Sequence, residues 1–560
     1  MRSRIHLIRF SLLFTVSILV VGPAGAAETS DLAARVDAVF ADYAKPGSPG
    51  CALAVIKDGS IAYEKGYGLA SVELGVPITP KTVFDIGSTS KQFTAASILL
   101  LAQDGKLSLD DDIHKYVPEL PDYGVPVTIR HLLHHTSGMR DYINVMFLGG
   151  INVEDWTTDA DALAALVRQK TLDFKPGEEH SYSNSGYFLL SIIVKRVSGK
   201  SLKDFAQERI FTPLGMTTTH YLNDHMEVVP GRASSYEPRP DGGFAVQSAN
   251  WEQTGDGAVQ TTVEDLAKWD QNFYTPKVGG TWLIEQLQTT GTLNNGEKIT
   301  YARGLAVEEY RGLRRVSHGG AWAGYRAQLM RFPVEKLAVV TLCNLGSADT
   351  TGLAQGVANL YLGDRLAPEA AVAASETAPA AAGAVDVARL AGLYWSPASD
   401  FVRKIYGKEG KLFYYRGPES ESELAPLADA RFLMLGVPPG LRAEVSFPQG
   451  TPRRMLVSTN GGTPMVFEEV QPVEPKPEEL AAYAGTYTSV ELDTTWTLAV
   501  ESDGLVMRGK RGPARPLRAA FTDAFGSDFG LLRFTRDGEK KINGFLIGAG
   551  RARNLKFERQ

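Results

Sequence analysis

Two cysteines in 560 residues, Cys51 and Cys343, are too few for a disulfide framework or a cysteine-rich metal site. Both lie in apolar runs that read as buried strands, so their plain reading is a pair of inert core thiols. A single bridge is the alternative, since an oxidising compartment permits one. No apolar run beyond the first 26 residues reads as a membrane span. Excess positive charge is absent too: the net charge is −6, which argues against a nucleic-acid partner. There is no Gly-x-Ser-x-Gly elbow, which removes the nucleophile motif of one large hydrolase class, and no glycine-rich nucleotide loop.

What is present begins with a basic start, Arg2, Arg4 and Arg9, followed by a largely apolar stretch at 10–21 and the small residues Ala24, Gly25 and Ala26. This reads as an export signal over residues 1–26, with the mature chain starting near Ala27. The apolar stretch is too short to span a bilayer, and Gly22 and Pro23 interrupt it. No paired arginine precedes it, which points to the general secretory route and a periplasmic or secreted protein. Its removal takes three arginines and no acid, leaving −9 on the rest.

The remaining length predicts more than one domain. Residues 51–57 and 61–67 flank Asp58-Gly59, a pair suited to the positive φ angles of a tight hairpin turn. A second hairpin is predicted from 325–332 and 337–343. Between them, 89–101 and 187–197 carry long apolar faces and end near Gly105 and Gly199, as helices do. Strands at both ends with helices between predict one α+β unit whose first strands pair with its last. From 366 to 385 the composition collapses to Ala, Pro, Glu, Ser and Thr and reads as a linker.

Beyond the linker, Leu390-Ala391-Gly392-Leu393-Tyr394 is echoed by Tyr483-Ala484-Gly485-Thr486-Tyr487. Likewise Met465-Val466-Phe467-Glu468 is echoed by Leu555-Lys556-Phe557-Glu558. Each half consists of short alternating stretches, such as 411–415, 496–500 and 531–535, so two small antiparallel barrels are expected. One continuous β domain is the alternative. Pro472, Pro475 and Pro477 mark a joint between the halves.

Three short clusters carry chemistry. Ser88 opens the first apolar helix and Lys91 lies one turn on, on the same face. A serine hydroxyl becomes a nucleophile when a neighbour takes its proton, and a lysine next to a core needs a reason to be there. Ser88 read alone would be a helix cap. Tyr182 and Asn184 precede the second apolar helix; a phenol can relay a proton to a leaving group, and an amide can hold both a lysine and a substrate carbonyl. His318, Gly319 and Gly320 precede the second hairpin, where glycines would let a substrate backbone approach the strand. The backbone N–H groups of Ala321 and Ser88 are then candidates for an oxyanion hole. His131, His134 and His135 have helical spacing but no acid or cysteine partner, so no metal site is expected there.

In order and spacing these clusters resemble the serine β-lactamase and penicillin-binding-protein superfamily, in its class C-like branch. The phrases Leu132-Leu133-His134-His135-Thr136-Ser137-Gly138-Met139 and Phe211-Thr212-Pro213-Leu214-Gly215-Met216, and the stretch 257–269, strengthen the likeness. The resemblance implies Ser88 as acylated nucleophile, Lys91 and Tyr182 as proton-transfer pair, Asn184, His318 and Gly320 as substrate or transition-state contacts, and Ala321 as oxyanion donor. It implies no cofactor and no metal. Many members carry Lys-Thr-Gly where this chain has His318-Gly319-Gly320, which weakens a β-lactamase reading.

The layout is most similar to the D-aminopeptidase group. It implies a β-lactamase-like α+β domain at 27–365, an antiparallel sheet flanked by helices, and after the 366–385 linker two small antiparallel β-barrels of lipocalin-like type, at 386–470 and 479–560, joined by 471–478. A loop from the last domain would reach the site, and 526–530, where two glycines flank Ser527, Asp528 and Phe529, is the segment nominated. The expected activity is a peptidase or amidase on small peptides, of D-aminopeptidase or carboxypeptidase type. A carboxylesterase with the same residues is the rival, and a peptide or peptidoglycan sensor a third reading. The expected partner is a small peptide or ester substrate.

Overall fold

The computed structural model describes residues 23–368, 387–417, 420–427, 430–437, 442–459, 461–502 and 504–560. The export signal read at 1–26 lies outside these residues up to residue 22, and the linker read at 366–385 does so from residue 369.

Six strands form the central sheet: β1 (Cys51–Lys57), β2 (Ser60–Tyr67), β3 (Ala306–Tyr310), β4 (Leu313–Trp322), β5 (Tyr325–Phe332) and β6 (Leu337–Cys343), in the spatial order β3-β4-β5-β6-β1-β2. Every pairing is antiparallel, and β1 joins β6 from Cys51 opposite Cys343 to Lys57 opposite Leu337. First strands therefore do pair with last. Asp58 and Gly59 both take positive φ, 51° and 80°, the geometry their hairpin requires.

Apart from Lys57 and Thr341, β1 and β6 are apolar because both faces are covered. Ala52, Ala54, Val340 and Leu342 face the helical half of the domain. Leu53, Val55, Met330 and Val339 face Val36 of helix Pro23–Val39, Phe40 just after it, and Leu353 and Val357 of helix Thr350–Leu362. The helix Lys91–Gln103 packs at the centre of the other layer with Asn184–Ser198, which ends on Gly199 at φ 74°.

The reading of Cys51 and Cys343 as free thiols is corrected: they form a disulfide, with Cα atoms 4.0 Å apart. Their direct opposition across β1 and β6 is a long-range fact of register, which spacing along the chain cannot reveal.

The echoed segments fold as two closed eight-stranded antiparallel barrels, from Gly392 to Val470 and from Gly485 to Arg559. In each, the first strand pairs with the last, Tyr394 opposite Glu469 and Tyr487 opposite Arg559, which leaves no open edge. The echo has a physical cause. Tyr394 donates its hydroxyl to the Leu390 carbonyl at 2.9 Å, and Tyr487 does the same to Tyr483 at 2.8 Å. Each barrel thus ties its entry turn to its first strand in the same way. Among the described residues no helix is long and apolar enough to cross a membrane.

Candidate active site

Ser88 sits in the single 3-10 turn Gly87–Ser90 that leads into helix Lys91–Gln103. Two features hold this turn. The buried Asp85 carboxylate accepts from the Gly87 N–H at 2.7 Å and from the Gln260 amide at 2.7 Å; burial pushes its acid up to about 6. Close contact with β4 does the rest. A Cβ on Gly87, whose φ is 47°, would lie 2.7 Å from the Ala321 nitrogen, and one on Gly320 would lie 1.9 Å from the Ile86 carbonyl oxygen. The space at Gly320 is therefore taken by the protein's own nucleophile turn, not by a substrate backbone as the sequence suggested.

In the two-residue hairpin between β4 and β5, Trp322 and Tyr325 close the turn. Alternation along an antiparallel ladder then directs the Ala321 N–H away from β5, towards the Gly87–Ser88 turn. The Ala321 nitrogen therefore lies against the turn that carries Ser88.

Lys91 is fully buried. Its Nζ lies 3.0 Å from Ser88 Oγ, 2.8 Å from Asn184 Oδ1 and 2.5 Å from the Asp256 carbonyl oxygen. Two carbonyl acceptors fix two of its N–H bonds, and the remaining valence points at Ser88. As an amine, Lys91 can meet the serine with its lone pair; as an ammonium, with a proton.

Asn184 is fixed in turn by Asp141, which caps helix Tyr142–Leu148 through the Ile143 and Asn144 N–H groups. The Asp141 Oδ2 accepts from both the backbone N–H and the side-chain Nδ2 of Asn184, each at 2.8 Å. Asp256 lies beneath, accepting from the Tyr142 hydroxyl at 3.1 Å. Burial raises its acid to about 7, and neighbouring Lys91 restrains the rise.

The Tyr182 ring stands over Lys91, whose Nζ is 5.0 Å from the ring centre. Its hydroxyl is buried and has no hydrogen-bond partner among the described residues, so its donor and acceptor capacity is open to a ligand in the cleft. Its ring packs on His135 at 4.1 Å. His135 adopts φ 56°, a conformation that the surrounding aromatic packing must hold, and burial keeps it neutral. His318 accepts from the Tyr301 hydroxyl at Nε2, 2.9 Å away, and donates from Nδ1 to the Gly319 carbonyl. Burial, with Lys91 near it, lowers His318 to about 4. It is a neutral wall residue whose two ring nitrogens are already engaged.

Ser88, Tyr182, Asn184, His318, Gly320 and Ala321 all line one cleft of about 1080 Å³, with Lys91 in its floor behind Ser88. The segment 526–530 takes no part. Ser527 closes its own turn, and Phe529 stacks on Trp496 and under Arg515, all within the second barrel. The turn that reaches the cleft is Gly550–Arg551, between strands Ile542–Ala549 and Ala552–Arg559. Its Arg551 guanidinium lies 4.6 Å from the Tyr182 ring centre. The backbone of Arg551 accepts from the Asp141 N–H at 3.0 Å.

The three clustered histidines do not converge. His131 Nδ1 accepts from the Thr128 N–H, His134 Nδ1 donates to the Tyr301 carbonyl, and His135 Nδ1 accepts from the Ser183 N–H. Among the described residues the grouping able to hold a metal is Asp224, His225 and Glu252, of which His225 touches the cleft.

Sequence reasoning missed Asp85, Asp141, His135, Tyr301 and Arg551. Asp141 carried a signal, a carboxylate just ahead of a helix, but that signal reads as an ordinary cap.

Comparison with known proteins agrees with this geometry. Residues 36–363 match the family described as Beta-lactamase. The D-aminopeptidase of Gluconobacter oxydans (strain 621H) is 33% identical over 324 residues, 58% of this chain and 60% of that protein. Penicillin-binding protein 4* of Bacillus subtilis (strain 168) is 32% identical over 300 residues, 51% of this chain and 66% of that protein. The octameric penicillin-binding protein homologue from Pyrococcus abyssi superposes with a TM-score of 0.56 at 25% identity, covering 79% of this chain and all of that one. The chain spans about 60% of the length of the D-aminopeptidase it matches. With the sheet, the Ser88 turn and the family match over 36–363 in agreement, this chain belongs to the Beta-lactamase family.

Proposed function

We propose that the protein is an exported serine peptidase or amidase acting on small peptides through an acyl-enzyme on Ser88. The observation that carries this reading is the buried Lys91, held by Asn184 and the Asp256 carbonyl so that its free valence meets Ser88 Oγ at 3.0 Å. In acylation the Ser88 Oγ attacks the substrate carbonyl carbon and its proton passes to Lys91. The carbonyl oxygen becomes an oxyanion between the N–H groups of Ser88 and Ala321. The C–N bond then breaks as the leaving nitrogen takes a proton through Tyr182, whose hydroxyl has no other partner. Water attacks the resulting ester, its proton returns through the same groups, and Ser88 is released with the acid product. Asn184, itself fixed by Asp141, holds Lys91 together with the Asp256 carbonyl, and His318 closes the wall beside it.

The identity to D-aminopeptidases supports amide over ester substrates. A carboxylesterase with the same residues remains the second reading, because both reactions share one acyl-enzyme. Export is supported by the basic and apolar leader and by the Cys51–Cys343 disulfide, a bond uncommon in reducing compartments.

Release of p-nitroaniline from D-alanine p-nitroanilide, beside p-nitrophenyl ester hydrolysis, tests the reading. Ser88-dependent amide cleavage is expected; ester cleavage without amide cleavage would favour the esterase. Lys91→Ala is expected to lower kcat about 100-fold or more, with little change in KM. An effect confined to KM would remove Lys91 from proton transfer.

A further inference from the structure

We infer that one mouth of the first barrel is a receptor for a phosphate group, built on Arg403 and Arg416. The site is separate from the Ser88 cleft and adds a binding function to the hydrolase reading.

Two neighbouring strands carry it. Val402–Lys408 and Lys411–Gly417 pair from Lys408 opposite Lys411 to Lys404 opposite Tyr415. The next residues along this ladder, Arg403 and Arg416, therefore stand across from each other. Both side chains turn into the barrel, on the face of the core pair Ile405 and Tyr414. Arg403 Nε donates to the Tyr414 hydroxyl at 3.1 Å. The Arg416 guanidinium lies 5.6 Å from the centre of the same ring, donates to the buried Ser422 Oγ at 3.0 Å and reaches the Met434 sulfur at 3.3 Å.

Like charges facing each other across two strands repel, and nothing around them offsets this. Arg403 bonds a phenol and the Val402 carbonyl; Arg416 bonds the hydroxyls of Ser420 and Ser422 and a thioether. All of these partners are neutral, and among the described residues no carboxylate forms an ion pair with either arginine. The nearby acids Glu421 and Glu423 alternate to the outer face, where they meet Tyr406 and Lys411. Other arginines of this barrel are paired: Arg431 with Glu444, Arg453 with Glu469 and Arg454 with Glu468. Arg403 and Arg416 both stay partly exposed, so the open ends of their guanidinium forks face the solvent at the mouth.

The second barrel shows that the fold does not demand this arrangement. Arg403 pairs with Tyr394, and the residue that pairs with Tyr487 in the same way is Trp496. Continuing each ladder, Gly509 stands where Arg416 does, and a Cβ on it would lie 3.8 Å from the Trp496 indole. Trp496 is 3% exposed and packs on Phe557 at 4.4 Å. One barrel thus plugs this level with an indole, whereas the other places two cations there. Two guanidinium forks with no acid call for a ligand of about two negative charges, which a phosphate monoester supplies with three acceptor oxygens. A single carboxylate would balance only one of them.

The test is calorimetric titration of the full-length protein with inorganic phosphate and with glycerol 1-phosphate, beside co-sedimentation with phosphatidylcholine vesicles with and without phosphatidic acid. Wild type is compared with Arg403→Gln, Arg416→Gln, the double variant and Arg454→Gln, whose arginine is already paired with Glu468. Wild type should bind the phosphate group saturably, tighter than about 1 mM. Each single glutamine variant should weaken binding about 10-fold or more, the scale of a lost charge-assisted hydrogen bond. The double variant should lose it and Arg454→Gln keep it. Binding in solution assigns the phosphate to a soluble ligand, and binding confined to phosphatidic acid vesicles assigns it to a lipid headgroup. Absence of both in wild type, or equal binding by wild type and the double variant, overturns the inference. If the double variant does not fold, the contrast of Arg403→Gln with Arg454→Gln decides, and equal affinities there overturn it. Acylation of Ser88 by D-alanine p-nitroanilide should be the same in wild type and both single variants, so the phosphate site stands or falls apart from the hydrolase reading.

Discussion

The two barrels have the same strand number, the same closure and the same tyrosine tie, yet the protein uses them differently. The first keeps a core of its own, built on Tyr394, Ile405, Val445, Met455 and Phe467. It touches the catalytic domain lightly, as where Thr463 bonds Glu297 at 2.8 Å. The core of the second, around Tyr487, Trp496, Phe545 and Phe557, is continuous with the catalytic domain's. Its seam is charged and largely buried: Arg140, 4% exposed, reaches Asp173 and Glu491 at 3.0 Å each and donates to the Arg553 carbonyl. A repeated fold thus yields one barrel that is nearly a passenger and one that helps build the cleft.

That contrast can be broken in graded steps. The largest effect is expected at Arg140→Met, which strands two carboxylates in the seam of the second barrel; a loss of about 3–5 kcal/mol in denaturant unfolding is predicted. A loss below about 1 kcal/mol would mean that the seam is wet and the second barrel no more integral than the first. Next comes the disulfide, which leaves both barrels untouched. Cys51→Ala with Cys343→Ala should cost about 2–4 kcal/mol and leave the Ser88 reaction intact, since the bridge lies in β1 and β6, on the sheet face opposite the Ser88 helix. Smallest is Thr463→Ala at the exposed contact of the first barrel, expected within about 0.5 kcal/mol of the wild type. A large effect there would overturn the passenger description.

A pH experiment sharpens the same seam from the site outwards. Asp256 titrates near 7 when folded against 3.8 for the ordinary carboxyl. The native state therefore binds the extra proton between these values, and stability attributable to this group falls as pH rises from about 4 to 7. Asp256→Asn should flatten the wild-type decline over that window in thermal unfolding measured every half pH. Parallel curves for the two proteins would show that Asp256 is not held protonated.

The sequence made the local parts of this protein legible. The Asp58-Gly59 hairpin, the helix-opening Ser88 with Lys91, the Tyr182 and Asn184 pair ahead of a helix, and the twin barrel openings at Tyr394 and Tyr487 are short-range patterns, each carried by a turn, a cap or a period. What stayed hidden depends on distant partners. Cys51 meets Cys343 only through the register of β1 with β6. Asp141 looks like a cap until Asn184 is beside it. The nominated 526–530 has the glycines of a mobile loop but spends its side chains within its own barrel. Gly550–Arg551, an inconspicuous hairpin turn, reaches the cleft because the seam around Arg140 docks the whole barrel there.

The central claim is a covalent bond to Ser88. The direct measurement is intact-protein and peptide-level mass spectrometry after rapid acid quenching of the wild type and Ser88→Ala with D-alanine p-nitroanilide or an N-acyl-D-alanine ester. The account predicts an added acyl mass on the peptide carrying Ser88 in the wild type and none in Ser88→Ala. Turnover with no adduct under any quench time, or the same adduct in both proteins, would contradict it.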